Sequence, residues 1–306
     1  MNKMPLSLLI CCFLSLYAAE PVFMASFDNG VDADWANGDK KPRAISEELE
    51  PFADGVAGKA VRIGAWDGML TRGTTEIKDR KYSYLFDAKG NIDHRKGSVS
   101  FWLSPVDWDG GEEMPHRMFA FFRGADNQQC MIIYKIANRP ILYFYLKNGD
   151  SVSSVHANIG HWKRHDWHFL TCNWDNGAMN LFLDGELESM GNYTPFESSF
   201  DSIKLGYLGW QFESGGSLMD DFRIYDQPLG EKEIAGLFLS RETTTDVGSA
   251  MLVKVGKSTP HTDGIINDGE YAMGAVGFTD IRGKRFASIQ SRYYLSHDQE
   301  NLYFAV

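Results

Sequence analysis

Three tryptophans stand beside turn signals, where an aromatic ring could stack on a sugar ring. The sequences concerned are Gly64-Ala-Trp-Asp-Gly68, Val106-Asp-Trp-Asp-Gly110 and Gly206-Tyr-Leu-Gly-Trp210. Aromatic side chains with a few polar groups commonly line small-molecule sites, although packing alone would also explain each tryptophan. Asp107 and Asp109 flank Trp108 and could serve sugar hydroxyls or a cation. The Trp108 loop is therefore ranked first, before Trp66 and Trp210.

Paired carboxylates for glycoside hydrolysis are absent from the sequence. That reaction needs two carboxyl groups across the scissile bond, and a Glu-x-Asp-x-Glu or Glu-x-Asp-x-x-Glu run would place them on one strand face. Glu47-Glu-Leu-Glu50 and Glu186-Leu-Glu188 lack the middle aspartate. The chain also has no Gly-x-Ser-x-Gly elbow and no glycine-rich phosphate loop. We predict no catalytic residue and a protein that is not an enzyme.

Composition indicates an ordinary globular protein with a defined charge balance. Of 306 residues, 43% are hydrophobic and 23% charged, which is enough to form a core without metals or disulfides. The net charge of -11 argues against nucleic acid, whose phosphates need a basic surface. It argues weakly against sulfated or uronic-acid glycans, although a local basic patch could override it.

The N-terminus has the pattern of an export signal. Lys3 precedes an almost wholly apolar run from Leu6 to Tyr17, and Ala18 and Ala19 are small enough for cleavage. The run is too short to span a membrane comfortably, and no other stretch reaches that length. We predict a signal peptide over residues 1–19 and a soluble protein that is extracellular or periplasmic.

The remaining sequence predicts many short strands and one helix. Residues 97–104 alternate apolar and polar side chains, and residues 140–147 and 167–174 are strongly β-forming. Turn signals such as Asn176-Gly177 and Asp184-Gly185 separate the strands. Residues 230–240 have helical spacing of their apolar side chains. This pattern is typical of an all-β, antiparallel two-sheet sandwich.

Cys130 and Cys172 both lie in strand-like segments. Export makes a disulfide between them chemically possible, provided that their Cα atoms come within about 7 Å. The alternative, slightly favoured, is two buried thiols that pack as small hydrophobic groups.

Four segments resemble, in order, the landmarks of a laminin-G-like or concanavalin A-like jelly roll. They are residues 54–63, 98–103, 167–185 and 220–234, which end in Asp220-Asp-Phe-Arg-Ile-Tyr225. The resemblance covers residues 20–240 and implies a two-sheet jelly roll whose tryptophans Trp102, Trp167 and Trp174 pack in the core.

The same resemblance implies a possible calcium ion. Members of this superfamily often carry one for structural reasons, and their first and last strands are adjacent. Asp28 and the pair Asp220-Asp221 would then repel one another unless a cation or hydrogen-bond donors intervened. The alternative is that these aspartates accept hydrogen bonds from backbone amides at turns.

The C-terminal part differs from the rest. Residues 241–258 are predicted to be a linker. Residues 261–272 and 292–306 resemble the opening of family 9 carbohydrate-binding-like modules, so residues 259–306 are expected to start a second β domain. Because that domain would stop inside a strand, we expect the chain to be a fragment of a longer protein.

Two hypotheses for function follow. The first is a secreted binding module for polysaccharide or glycoprotein glycans, with no nucleic-acid partner and no membrane span. The second is an accessory N-terminal region of a glycan-processing enzyme of the glycoside hydrolase type, whose catalytic domain is not in this chain. Both rest on fold analogy, because this fold serves many functions.

Overall fold

A computed structural model describes residues 19–46, 51–66, 80–112, 116–125, 128–206 and 216–242, together with four short strands nearer the C-terminus. The chain divides into two compact units, Met1–Thr245 and Asp246–Val306. Within this described part of the chain, no helix is long and apolar enough to cross a lipid bilayer.

The first unit is almost entirely antiparallel β structure, as predicted. Its strands are β1 (Phe23–Ala25), β2 (Trp35–Ala36), β3 (Ala44–Ser46), β4 (Phe52–Asp54), β5 (Lys59–Trp66), β6 (Arg80–Asp87), β7 (Lys96–Pro105), β8 (Arg117–Gly124), β9 (Gln129–Lys135), β10 (Ile141–Asn148), β11 (Ser151–Asn158), β12 (His168–Asp175), β13 (Ala178–Leu183), β14 (Glu186–Asn192), β15 (Phe200–Gly206) and β16 (Ser217–Tyr225). The helix α1 (Glu231–Glu242) follows β16.

The strands form two sheets. Sheet A has the order β4-β5-β16-β7-β12-β13-β14, and β1 pairs with β16 beside it. Sheet B has the order β11-β10-β9-β8-β15-β6, and β3 pairs with β6. Three residue pairs between β5 and β6, from Gly64↔Tyr82 to Trp66↔Arg80, join the sheets along one edge. The adjacency of β1 and β16 is the one that the jelly-roll resemblance implies.

The shared interior explains the alternation seen in the sequence. In β7, Val99, Phe101 and Leu103 are fully buried in the cluster between the sheets. Leu170 of β12 lies opposite Phe101 and Cys172 lies opposite Val99, which places both side chains on the same inner face. Each strand therefore has one face committed to the core, and its other face is free for a different role.

The outer face of sheet A carries a second, smaller core under α1. Trp102, which points away from the sandwich interior, stacks on Phe238 with ring centroids 5.5 Å apart. Phe169 and Ile234 belong to the same cluster. Trp102 is thus buried as predicted, but beneath the helix rather than between the sheets; Trp174 lies in the main interior.

The start of α1 has its own cap. The Glu233 carboxylate accepts a hydrogen bond from the amide of Gly230 at 2.8 Å, which satisfies a donor that the helix leaves unpaired. Two acidic residues in the first turn also suit the positive end of the helix dipole.

The second unit contains β17 (Gly256–Lys257), β18 (Met273–Val276), β19 (Arg292–His297) and β20 (Leu302–Ala305). Antiparallel pairing joins β19 to β18 and to β20. The predicted domain boundaries and the family 9 resemblance stay predictions.

Phe238→Ala is expected to lower the free energy of unfolding by about 3 kcal/mol, because it removes the ring that covers Trp102 and Phe169. The adjacent Leu239→Ala is the control: Leu239 is 50% exposed and should cost less than about 0.5 kcal/mol. Urea unfolding followed by tryptophan fluorescence measures both. Equal effects of the two substitutions would contradict the proposed packing of α1.

Candidate functional site: the outer face of sheet B

The outer face of sheet B is lined with tyrosines. In β10, Leu142, Phe144 and Leu146 point into the core, so the alternating Tyr143 and Tyr145 point outward and stay partly exposed. The period of two in a strand makes this separation of faces unavoidable.

Strand register assembles a row of side chains across this face. Tyr143 lies directly opposite Tyr134 of β9 and opposite His156 of β11, and Tyr134 lies opposite Met118 of β8. The Tyr134 and Tyr143 rings are stacked with centroids 5.6 Å apart and planes inclined by 20°. His156 lies 5.7 Å from the Tyr143 ring. We call this the aromatic row.

A second row runs parallel to the first and ends in a basic residue. Tyr145 lies opposite Ile132, Ile132 opposite Phe121, and Phe121 opposite Lys204 of β15. Ile132 is buried beneath the partly exposed rings that pack against it. Tyr145 meets Tyr134 edge to face at 6.4 Å, which links the two rows into one surface.

The third row carries charge. Lys147 lies opposite Cys130, Cys130 opposite Arg123, Arg123 opposite Ser202, and Ser202 opposite Asp87. Together the three rows define what we call the tyrosine face, aromatic at the β9–β11 side and basic towards β15.

The tyrosines of this face are neutral hydrogen-bonding groups. Burial, together with the nearby Tyr143 and Tyr145 phenols, raises the pKa of Tyr134 to about 12. Burial also raises the pKa of Tyr145. Both hydroxyls therefore stay protonated at neutral pH and can donate as well as accept. Rings that offer an apolar surface with a polar tip suit a ligand with both kinds of surface, such as a sugar.

Comparison with known proteins identifies the fold family. A laminin-G-type family model, described as the concanavalin A-like lectin/glucanases superfamily, matches residues 79–235, just over half of the chain. The chain belongs to this superfamily. No curated protein matches its sequence.

Similar solved structures agree with this lectin-like fold. The binding domain of botulinum neurotoxin serotype D is 12% identical with a TM-score of 0.53, over 73% of this chain and 52% of that one. The botulinum neurotoxin DC binding domain, solved with rat synaptotagmin II, is 16% identical with a TM-score of 0.53, over 72% and 51%. A botulinum neurotoxin type C structure is 18% identical with a TM-score of 0.52, over 73% and 51%. The chain thus spans about half the length of these neighbours, and at this identity they show the fold alone.

The predicted stacking role of Trp108 is wrong, because its ring is fully buried in the lectin-like core. Its indole N–H donates to the Ser217 hydroxyl at 3.0 Å. The ring stacks on Phe119 at 6.1 Å, and the Arg117 guanidinium lies 5.5 Å from its centroid. A tryptophan enclosed in this way has no face left for a ligand.

The aspartates beside Trp108 stay near the surface. Asp109 accepts a hydrogen bond from the Arg164 amide at 3.0 Å and lies 3.8 Å from the Lys163 ammonium, so it holds the neighbouring loop. Asp107 is exposed, and its role in ligand binding stays a prediction. Trp66 ends β5 opposite Arg80, but its side chain lies outside the described residues, as does the whole of Trp210.

Two of the three predicted calcium ligands instead hold one turn of the chain. Asp28 accepts a hydrogen bond from the Lys59 amide at 2.8 Å. Asp220 accepts from the amides of Val56 and Ala57 at 2.9 and 3.2 Å. Both carboxylates therefore organise the turn between β4 and β5, which is the alternative that the sequence left open.

The third predicted ligand, Asp221, pairs with an arginine. Its carboxylate accepts bidentate hydrogen bonds from the Arg223 guanidinium, from Nε to Oδ1 at 3.1 Å and from Nη2 to Oδ2 at 2.7 Å. Asp221 sits at a bulge in β16 with φ of 52°. No group of three or more acidic, histidine or cysteine side chains in the described ranges could hold a metal ion. The described contacts of Asp28, Asp220 and Asp221 thus favour the hydrogen-bonded alternative over the predicted calcium site.

Cys130 and Cys172 do not form the possible disulfide. Both are free thiols, and they belong to different clusters: Cys172 faces the interior, whereas Cys130 lies under the tyrosine face. Burial raises the pKa of Cys130 to about 11 and that of Cys172 well above its usual value, so both stay protonated.

Trp108→Phe is expected to lower the free energy of unfolding by about 1–2 kcal/mol, because it removes the hydrogen bond to Ser217 and leaves space beside Phe119. Trp35→Ala serves as the control: Trp35 is 55% exposed and should cost less than about 0.5 kcal/mol. Urea unfolding checks both values, and an unchanged stability of Trp108→Phe would contradict the structural role of this ring.

Calcium or EDTA is expected to leave the melting temperature unchanged, because the three carboxylates are already bonded to amides or arginine. An ion present at a hundred times its dissociation constant would stabilise the fold by about 2.7 kcal/mol, or several degrees in Tm. Differential scanning calorimetry on the whole chain measures this. A rise of several degrees with calcium would show that a site exists.

Proposed function

We propose that this chain is an exported, non-catalytic binding module that recognises carbohydrate on the tyrosine face. The single observation that supports the proposal most is the continuous aromatic surface formed by Tyr134, Tyr143 and Tyr145. Sugars present apolar C–H faces edged by hydroxyl groups, and these three phenols offer stacking surface and neutral hydrogen-bonding groups together.

The family and its structural neighbours support a binding role. The matching model describes lectins and glucanases. Cell entry of one neighbour, botulinum neurotoxin type C, is dependent upon interaction with two ganglioside molecules. Another neighbour, the botulinum neurotoxin DC binding domain, was solved in complex with rat synaptotagmin II. A protein of similar fold thus interacts with gangliosides, and we propose glycan recognition for this chain as well.

The charges of the tyrosine face support a non-catalytic role. Glycoside hydrolysis usually needs two carboxyl groups about 5–10 Å apart around the bond. Two carboxylates lie at the basic side of the face, Asp87 and Asp201, and both accept hydrogen bonds from the Arg43 guanidinium, at 2.8 and 3.0 Å. Carboxylates that are both committed to one arginine suit the positioning of neighbouring groups rather than acid–base chemistry.

The second function, an accessory region of a glycan-processing enzyme, uses the same face. The family description includes glucanases, and a binding surface would hold the polysaccharide near a catalytic domain elsewhere. The family 9 resemblance of residues 259–306 fits such an arrangement. Extracellular or periplasmic location remains part of this proposal and rests on the N-terminal pattern.

Tyr143→Ala is expected to weaken glycan binding by about tenfold or more, equivalent to about 1.4 kcal/mol, because it removes the central ring of the face. The glycan is first selected on a glycan array with the whole chain, and affinity is then measured by calorimetry.

Trp35→Ala is the matched control, since Trp35 is an exposed aromatic residue away from the tyrosine face. It should bind as tightly as the unchanged protein. The proposal fails if no array glycan binds, or if Trp35→Ala weakens binding while Tyr143→Ala does not.

A further inference from the structure

A small cavity lies at the basic side of the tyrosine face. It has a volume of about 250 Å³, and Arg43, Arg123 and Lys204 line it together with Leu85, Phe121, Asp201 and Ser202. Drug-sized ligands occupy larger pockets, from about 300 Å³ upward. The space therefore suits one ring or one substituent of a ligand rather than a chain of several units.

The cavity is positively charged in a strongly acidic protein. Three basic side chains and one carboxylate line it, whereas the whole chain carries a net charge of -11. The carboxylate, Asp201, accepts a hydrogen bond from Arg43 at 3.0 Å, and the other guanidinium nitrogen of Arg43 bonds to Asp87 at 2.8 Å. Arg43 is thus held in place by two carboxylates, and Arg123 is the second guanidinium that lines the cavity.

Arg123 is the side chain best placed to meet an anion. It is exposed, and its cross-strand neighbours Ser202 and Cys130 carry no negative charge. It forms no ion pair with any of the residues that the structure describes. A guanidinium is planar and presents parallel N–H donors that match a carboxylate in bidentate fashion.

The cavity is continuous with the aromatic surface. Phe121 lines the cavity and lies opposite Ile132, whose other neighbour across the sheet is Tyr145. A sugar chain stacked on the tyrosines would therefore reach the cavity across two strands, and a ring seated there would lie on Phe121 beside Arg123.

From this geometry we infer that the cavity binds a carboxylate-bearing sugar residue of the glycan that lies on the tyrosine face. The inference rests on the proposed function. Arg123 receives the carboxylate, Phe121 supports the ring, and Ser202, which lies opposite Arg123 across the sheet, also lines the cavity. Specificity for acidic over neutral glycans is then a property of this local surface and not of the net charge.

Matched glycan pairs test the inference. The whole chain is applied to an array of oligosaccharides in which each acidic member is paired with the same backbone bearing a methyl-esterified carboxyl group. We expect at least tenfold stronger binding to the acidic members. Arg123→Gln should reduce this ratio to below about threefold while binding to the esterified members is unchanged. Raising the salt concentration should narrow the ratio as well.

Arg139→Gln is the matched control, because Arg139 is exposed and lies outside the cavity, and the substitution changes the net charge equally. Equal binding of acidic and esterified members, still lowered by Tyr143→Ala, overturns the inference and leaves the proposed function standing. Equal effects of Arg123→Gln and Arg139→Gln also overturn it. Absence of binding to every member overturns the proposed function and the inference together.

Discussion

Burial of one face of every long strand in a common interior is the constraint on which the remaining structure depends. Once Phe101, Leu170 and Phe144 are committed to that interior, the period of two directs their sequence neighbours outward. The two outer faces then differ. On sheet A, Trp102 and Phe169 are apolar and are covered by α1. On sheet B, the outward positions include Tyr134, Tyr143 and Tyr145, which are only partly buried and keep a polar tip. The same constraint thus yields a closed side and a side suited to recognition.

Aspartates in this fold mostly serve the backbone. Asp28 and Asp220 accept from amides of one turn, and Asp184 accepts from the Phe169 amide at 2.8 Å while it also lies 2.9 Å from Nδ1 of His168. A carboxylate that receives amide hydrogen bonds stabilises a turn without a cation, because donors already balance its charge. Aspartates close in sequence to the first and last strands could therefore bind a cation or accept hydrogen bonds from backbone amides. The hydrogen-bond geometry decides between these two outcomes.

The sequence was sufficient for the fold but not for the site. Alternating apolar residues and paired turn signals predicted the strands and the helix, since these are local properties. The role of Tyr143 also had a local signal, because it alternates with Leu142 and Phe144. Its partner Tyr134 had none: the two rings meet only through the pairing of β9 with β10, and register is a non-local property. The prediction for Trp108 was wrong although its signal was local. Turn residues beside a tryptophan do not reveal whether the loop folds inward over the core.

Net charge is a property of the whole surface and does not determine the charge at one site on it. A value of -11 describes the whole surface, but exposed charges separated by more than about 8 Å are largely screened at physiological ionic strength. The charge that a group in the small cavity meets is therefore set by nearby side chains such as Arg123 far more than by distant acids. Arg43 also belongs to this local surface. Its carboxylate partners Asp201 and Asp87 raise the pKa of its guanidinium and keep it charged, and each accepts a hydrogen bond from it. An acidic surface elsewhere disfavours non-specific binding of polyanions, and the proposed binding of an acidic sugar depends on whether its carboxylate can reach Arg123.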